Sequence, residues 1–278
     1  MTQRDQDWLT SAWETDGVEP FTLARPDWFQ GLQIIAPKLT TSTNSLLWTL
    51  LKKGYSPPLA AIAKQQSAGR GQRGRQWDSD QGGLYLSILL DLNLAAENAP
   101  HLVLLSAWGI AYGLQRHQIP VQLKWPNDLL LNGRKLGGIK TETKISQNTI
   151  QTAVIGVGIN WSNPVPETGI QLKPFCQQQG ITSLATLTDL AEITLAGLTL
   201  GWQRYQHKGI GPIRAGYLDF FAHHQQVIQL PQEQGIIQSV TELGELVVLV
   251  KDQRQILPPG AISLGYDQPI NENFLHTD

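Results

Sequence analysis

The sequence predicts an α+β protein, with a mixed β-sheet carrying helices over most of its length and a small β-barrel at the C-terminal end. Three observations support this. Leu46, Leu47, Leu50 and Leu51 recur at helical spacing, whereas Leu84, Leu86, Ile88 and Leu90 alternate on one face of a strand. Asn132-Gly133 between two β-prone runs marks an antiparallel hairpin, because Asn-Gly readily takes the positive φ of a type I′ turn. Beyond residue 224 the chain breaks into short β-prone runs separated by Gly and Pro, which is the spacing of a small barrel.

Taken in order, residues 1–36 read as an irregular extension packed on the main body, carrying Trp8, Trp13 and Trp28. A helix is expected over 43–53, with Ser and Thr before it and Gly54 after it. Residues 59–64 form a strand, Gly82-Gly83 opens a better one, and 100–117 carry the next helix. A short strand at 121–124 leads into a Trp-Pro-Asn-Asp turn; hairpin arms follow at 129–131 and 134–141, then a long strand at 149–160. Helices near 187–206 and 212–223 precede the tail, whose strands are expected at 227–230, 235–240, 245–250 and 255–264. The organisation is an extension (1–36), a main domain (37–223) and a barrel (224–270).

A chain of 278 residues holds one large domain and a small one, and 41% hydrophobic against 16% charged residues supplies a core without disorder. With 21 basic and 23 acidic side chains, net charge −2, it lacks the basic excess of a nucleic-acid binder. The single cysteine, Cys176, excludes an internal disulfide and a Cys-based zinc site, and a lone thiol fits a reducing interior. The first residues have no apolar signal-peptide core and no stretch approaches a membrane span, so a cytoplasmic protein without nucleic-acid or membrane partners is expected.

Between two expected strands, Gln66 to Trp77 reads Gln-Ser-Ala-Gly-Arg-Gly-Gln-Arg-Gly-Arg-Gln-Trp. Its glycines let the backbone approach a ligand, and its arginines present fixed forks to carboxylate or phosphate oxygens. It is neither a dinucleotide fingerprint nor a Walker loop. A solvated basic loop or an RNA contact is the bland alternative. Ser42-Thr43-Asn44 at a helix start is a good N-cap, or a set of hydroxyls and free amides for a small polar group. Lys124-Trp125-Pro126-Asn127-Asp128 reads as turn chemistry, and Lys135 as a solvated hairpin lysine. Gly156 and Gly158 in a buried strand mark close approach by a ligand or by another part of the chain.

The order and spacing of these segments say more than each alone. Ser-Thr-Asn, Q-x-x-G-R-G-x-R-G-R-x-W, K-W-P-N-D, R-K-L-G-G-I (134–139) and G-x-G-I-N (156–160) together resemble the biotin–protein ligases, from about Leu39 to Ser263. The resemblance implies that family's mixed-sheet catalytic domain and a C-terminal SH3-like barrel. It also implies ATP-dependent formation of biotinyl-5′-AMP and transfer of biotin to a lysine of a biotin carboxyl carrier protein, with Mg²⁺ on the phosphates, no residue singled out as its ligand, and a homodimer left open. Carried onto this sequence, Lys135, Arg70 and Asp128 become the catalytic candidates, Asp128 to orient or deprotonate the incoming amine. Ser42, Thr43, Asn44, Gln66, Arg70, Gly71, Gln72 and Lys135 become biotin-binding candidates. Gly69, Arg70, Arg73, Arg75, Trp77, Asn127, Lys135 and Asn160 become candidates for ATP and the adenylate, with Gly156 and Gly158 beside them. Gln72 stands where the family's loop usually has arginine, and the extension is too short for the winged helix of the family's repressors, so a monofunctional ligase is expected. A lipoate- or octanoate-type ligase of the same fold and a biotin-responsive regulator are the alternatives.

Overall fold

The computed structural model describes residues 18–20, 31–231 and 233–266. In chain order these form β1 (Val18–Pro20), β2 (Gln33–Ile35), β3 (Leu39–Thr40), α1 (Thr43–Lys52), β4 (Leu59–Ala63), β5 (Gln65–Gln66), β6 (Leu84–Ala95) and α2 (Ala99–Gln115). There follow β7 (Gln122–Lys124), β8 (Asp128–Leu131), β9 (Arg134–Ser146), β10 (Thr149–Ile159), α3 (Leu172–Gln178), α4 (Leu187–Lys208) and α5 (Ile210–Asp219). The tail adds β11 (Val227–Gln229), β12 (Gln234–Val240), β13 (Leu246–Val250) and β14 (Gln253–Leu257).

The main sheet has eight strands in the order β1-β2-β4-β6-β10-β9-β8-β7. Only β2 and β4 run parallel within it, so the sheet is mixed, as expected. Its centre is the antiparallel trio β6, β10 and β9. The β8–β9 hairpin turns on Asn132 (φ 51°) and Gly133 (φ 73°), the left-handed pair that a type I′ turn requires.

Alternation divides the sheet into two faces. Leu84, Leu86, Ile88 and Leu90 of β6, with Ala153, Ile155, Val157 and Ile159 of β10, join the large core that also contains Leu102, Leu105 and Ile110 of α2 and Leu190, Leu195 and Leu198 of α4. Helices α4 and α5 both pack on α2. Among the described residues the opposite face carries one helix, α1: Leu47 packs on Leu59, Ala61, Leu89 and Val154, with Leu46, Trp48, Leu50 and Leu51 around them. That single helix leaves much of the second face open. Helix α4 starts in a capping box, Thr186 Oγ1 accepting from Asp189 N at 3.1 Å while Asp189 Oδ2 accepts from Thr186 N at 2.8 Å.

Several expectations need correction. The described part of the extension is an edge strand, β1 pairing with β2, while Trp8, Trp13 and Trp28 lie outside the described residues. The last expected tail strand is shorter: β14 ends at Leu257, because Pro258-Pro259 follows and Pro lacks the N–H that a ladder needs. Residues 258–266 instead leave the four-stranded antiparallel sheet β11-β12-β13-β14 and run back towards the open face of the main sheet. That separate small sheet is compatible with an SH3-like unit. Helix α3 and the short parallel pair β3–β5 have too few residues to leave a periodic signal.

Candidate active site

A cavity of about 310 Å³ lies on the open face beyond α1, and all five sequence segments reach it. Its wall includes Ser42, Thr43, Asn44, Gln66, Arg70, Gly71, Gln72, Arg73, Arg75, Trp77, Asn127, Asp128 and Lys135. Two candidates are not part of that wall. Gly69 has no room for a side chain because Ser79 Oγ and the Trp77 carbonyl crowd its Cα, so it serves closure of the loop on itself. Asn160 donates from Nδ2 to Lys135 O at 3.2 Å and accepts from Asn163 at 3.1 Å, which ties the end of β10 to the strand bearing Lys135.

The α1 end of the cavity is a hydrogen-bonded set. Ser42 holds the N-cap position with extended backbone but makes no capping bond. Gln66 from β5 supplies the cap, its Oε1 accepting from Thr43 N at 2.8 Å and facing Thr43 Oγ1 at 3.2 Å, while its Nε2 donates to Ser79 Oγ at 2.8 Å. Beneath them Ser87 of β6 reaches Thr43 Oγ1 at 2.7 Å and Asn44 Oδ1 at 2.6 Å. The strand glycines make room for these side chains. A Cβ at Gly156 would strike the Asn44 amide, and one at Gly158 the Trp77 indole. Asn44 Nδ2 and Trp77 Nε1 are buried donors without a partner among the described residues. Leaving such a donor unsatisfied costs about 1–3 kcal/mol, so both fit a ligand that brings acceptors.

The arginine-glycine loop is pinned across the opening. Gly71 N donates to Arg75 O at 2.7 Å, a short 3₁₀ turn spans Gln72–Gly74, and Arg73 takes a left-handed φ of 57°. Arg70 donates to Glu142 Oε1 at 2.7 Å and to Ser45 Oγ at 3.2 Å, so its guanidinium bridges the loop, β9 and α1. Gln72 Nε2 donates to Ile139 O at 3.2 Å, an oxygen that also accepts from Asn127 Nδ2 at 2.9 Å. Arg73 lies directly on Gly260 of the tail, where a Cβ would fall within the guanidinium.

Asp128, at 8% exposure, sits between two lysines. Its Oδ1 is 3.0 Å from Lys135 Nζ, and its Oδ2 is 3.9 Å from Lys124 Nζ and accepts from Tyr266 Oη at 2.8 Å. Burial, with the charges of Lys135 and Arg75, holds the Lys124 ammonium down at about 8 against the opposing pull of Asp128. Behind it His223, 2% exposed, is pushed down to about 4 by burial and by Lys124, with a backbone hydrogen bond at Gly265 opposing. Arg70, Arg73, Arg75, Lys124, Lys135 and Lys140 face the cavity, against Asp128 on its wall and Glu142, which pairs with Arg70 and Lys140. In a chain of net charge −2 that concentration of positive charge selects an anion.

The sequence matches the Biotin/lipoate A/B protein ligase family over residues 36–160. It is also 30% identical, over 240 residues, to the biotin–[acetyl-CoA-carboxylase] ligase of Paracoccus denitrificans, covering 81% of this chain and 98% of that one. The chain belongs to the biotin protein ligase family. The bifunctional ligase/repressor BirA of Bacillus spizizenii is 33% identical over 132 residues, a match spanning 47% of this chain and 41% of that relative. In fold the chain is similar to the biotin protein ligase from Aquifex aeolicus in complex with biotin and ATP, with a TM-score of 0.67 at 23% identity, covering 83% of this chain and 97% of that one. The mixed sheet with its helices is therefore the biotin ligase fold.

Within this ligase fold, sequence reasoning passed over four side chains that shape the site. Lys124 was part of a recognised segment, but in Val121-Gln122-Leu123-Lys124 it alternates with the polar Gln122, so its burial carried no local signal. Lys140 and Glu142 lie on the solvent-like half of β9, and Tyr266 lies far along the chain; none carried a local signal.

Proposed function

We propose that the chain joins biotin to an acceptor protein in two steps, using this cavity for both. The biotin carboxylate attacks the α-phosphorus of ATP; the new acyl–phosphate bond forms as the bond to the β-phosphate bridging oxygen breaks, and pyrophosphate leaves. The amine of an acceptor lysine then attacks the acyl carbon, forming an amide and releasing AMP and a proton. Six cations around the cavity with two carboxylates, Asp128 and Glu142, to balance them are the observation that carries this reading, because the first step brings two anions together and expels a third.

The residues divide along the cavity by chemistry. Ser42, Thr43, Asn44 and Gln66 offer hydroxyl and amide groups suited to the neutral ureido ring of biotin. Lys135 stands at the centre to meet carboxylate and α-phosphate together, exchanging Asp128 for the incoming anion. Arg73, Arg75 and Trp77 fit the nucleotide side, with Trp77 offering an aromatic face. Arg70 reaches an anion only by exchanging Glu142, so it acts on closure as much as on charge. Mg²⁺ bound with ATP supplies neutralisation of the phosphates. Among the described residues no three His, Cys, Asp or Glu side chains cluster for a metal, which fits an ion carried mainly by ATP. Asn127 on the cavity wall, its amide nitrogen committed to Ile139, presents its amide oxygen to complete such a shell.

A biotin carboxyl carrier domain is the proposed acceptor. Among the described residues no helix is long and apolar enough to cross a membrane. The test incubates the protein with ATP, Mg²⁺, biotin and a carrier domain, with lipoate as competitor. Pyrophosphate release and a biotinylated carrier, unaffected by lipoate, are expected. Transfer of lipoate in preference to biotin would overturn the assignment of substrate.

A further inference from the structure

Asp128 has a choice of two lysines, and a residue outside every recognised segment decides it. Tyr266 arrives from the tail, and its hydroxyl donates to Asp128 Oδ2 at 2.8 Å. Its ring lies across Lys124, with Nζ 3.2 Å from the centroid, while Lys135 Nζ is 5.6 Å away. Asp128 keeps a short contact with Lys135 (3.0 Å) and a long one with Lys124 (3.9 Å). The same tail segment walls the cavity at Gly260 to Leu264, and Gly260 carries Arg73.

We propose that Tyr266 is a positioning residue of the ligase site: its hydroxyl keeps the Asp128 carboxylate on Lys135 rather than Lys124, and its ring shields Lys124 from water. The inference rests on the ligase reading above and adds a role for the C-terminal segment within it. Without the hydroxyl, Oδ2 is free to close its 3.9 Å gap to Lys124, and Lys135 loses the partner that holds it at the cavity centre. Without the ring, water reaches the Lys124 ammonium. A π face replaces part of that hydration but not all of it. The charged and titratable groups facing Lys124 are Asp128 from β8, Lys135 from β9, Arg75 from the loop, His223 following α5, and Tyr266 itself. Burial lowers the Lys124 ammonium, as do Lys135 and Arg75, whereas Asp128 raises it, so Tyr266 acts on it twice, through hydration by its ring and through the Asp128 distance by its hydroxyl.

The experiment compares the full-length parent with Tyr266→Phe and Tyr266→Ala. Rates of biotinyl-5′-AMP formation and of transfer to a carrier domain are measured across pH, and Lys124 is titrated by competitive acetylation with acetic anhydride and mass spectrometry. Tyr266→Phe should lower kcat by about tenfold or more, the effect of losing a hydrogen bond to a charged group, with the KM for biotin nearly unchanged and the Lys124 titration moved up, by less than in Tyr266→Ala, as Asp128 closes on it. Tyr266→Ala should lower kcat similarly and move the Lys124 titration further up towards the ordinary lysine value, carrying the pH profile with it. Parent rates in both variants overturn the proposal. So does a loss in Tyr266→Ala that merely tracks the folded fraction in thermal melts while Lys124 and the pH profile stay put. If the parent itself makes no biotinyl-5′-AMP, the ligase reading fails. The acetylation readout needs no substrate, and an unmoved Lys124 in Tyr266→Ala then overturns the positioning role separately.

Discussion

Lys135 is 3.0 Å from Asp128, with about a quarter of its side chain (24%) reaching water, so truncation opens no cavity in the core. Lys135→Ala should therefore change stability little while removing the charge expected between carboxylate and α-phosphate. A loss on the order of 2–4 kcal/mol in the barrier to adenylation is expected, read from pyrophosphate release alongside a thermal melt. Near-parent release would make it a surface lysine. His223 gives a second prediction, in stability rather than rate. Its imidazole is pushed down to about 4 in the folded protein, so between that value and the ordinary 6.5 the unfolded chain binds a proton that the folded chain excludes. Stability is then complete above 6.5 and falls as pH drops through the window, by up to about 2 kcal/mol between pH 7 and 5. Urea unfolding at the two pH values should show a smaller drop in His223→Leu than in the parent; parallel drops would mean that His223 does not titrate with folding.

The arginine-glycine loop crosses the cavity on few tethers: Arg70 to Glu142 and Ser45, Gln72 to Ile139, and Arg73 on Gly260. Its arginines repel one another, and Arg70 is held by a carboxylate that a bound anion would replace. Trypsin cleavage at Arg70, Arg73 or Arg75 should slow when biotin and ATP are added, and should speed up in Glu142→Gln before any ligand is present. Equal cleavage of parent and Glu142→Gln, with and without ligand, would rule out Glu142 as a latch. Gln72 marks why the loop was only partly readable. Its replacement of the usual arginine was visible, but its bond to Ile139 depends on β9 lying beneath the loop.

The small C-terminal sheet is tied to the main sheet through Trp125, whose Nε1 donates to Gly244 O at 2.7 Å. The tryptophan of the K-W-P-N-D segment thus anchors the tail as well as lining the cavity. Arg73–Gly260, Tyr266–Asp128 and the packing of Ile237, Val240, Leu246 and Val248 into the large core also join the tail to the main body, so the tail's docking brings residues to the site. Trp125→Phe keeps the bulk but orphans a carbonyl, and should lower stability by about 1–3 kcal/mol. Activity should fall beyond what the loss of folded protein explains. A urea midpoint and a kcat both equal to the parent's would show that the tail docks without that bond.

The sequence by itself determined the elements and the segments that carry chemistry. Leucine spacing wrote α1, alternation wrote β6, and Asn132-Gly133 wrote the β8–β9 turn, because side-chain period and turn conformation are properties of a few adjacent residues. The same locality made the five cavity-lining segments legible as a set. Tertiary structure decided which partners those residues have. Gln66 rather than Ser42 caps α1, Asn44 and Trp77 take the space left by Gly156 and Gly158, and Tyr266 meets Asp128 across 138 positions of sequence. Each of these contacts joins segments distant in the chain, and their distances follow from the register of β6, β10 and β9 and from the docking of the tail. A hydrogen bond of 2.8 Å between such segments leaves no trace in either one alone, which is why the inventory of the site could be read before its wiring.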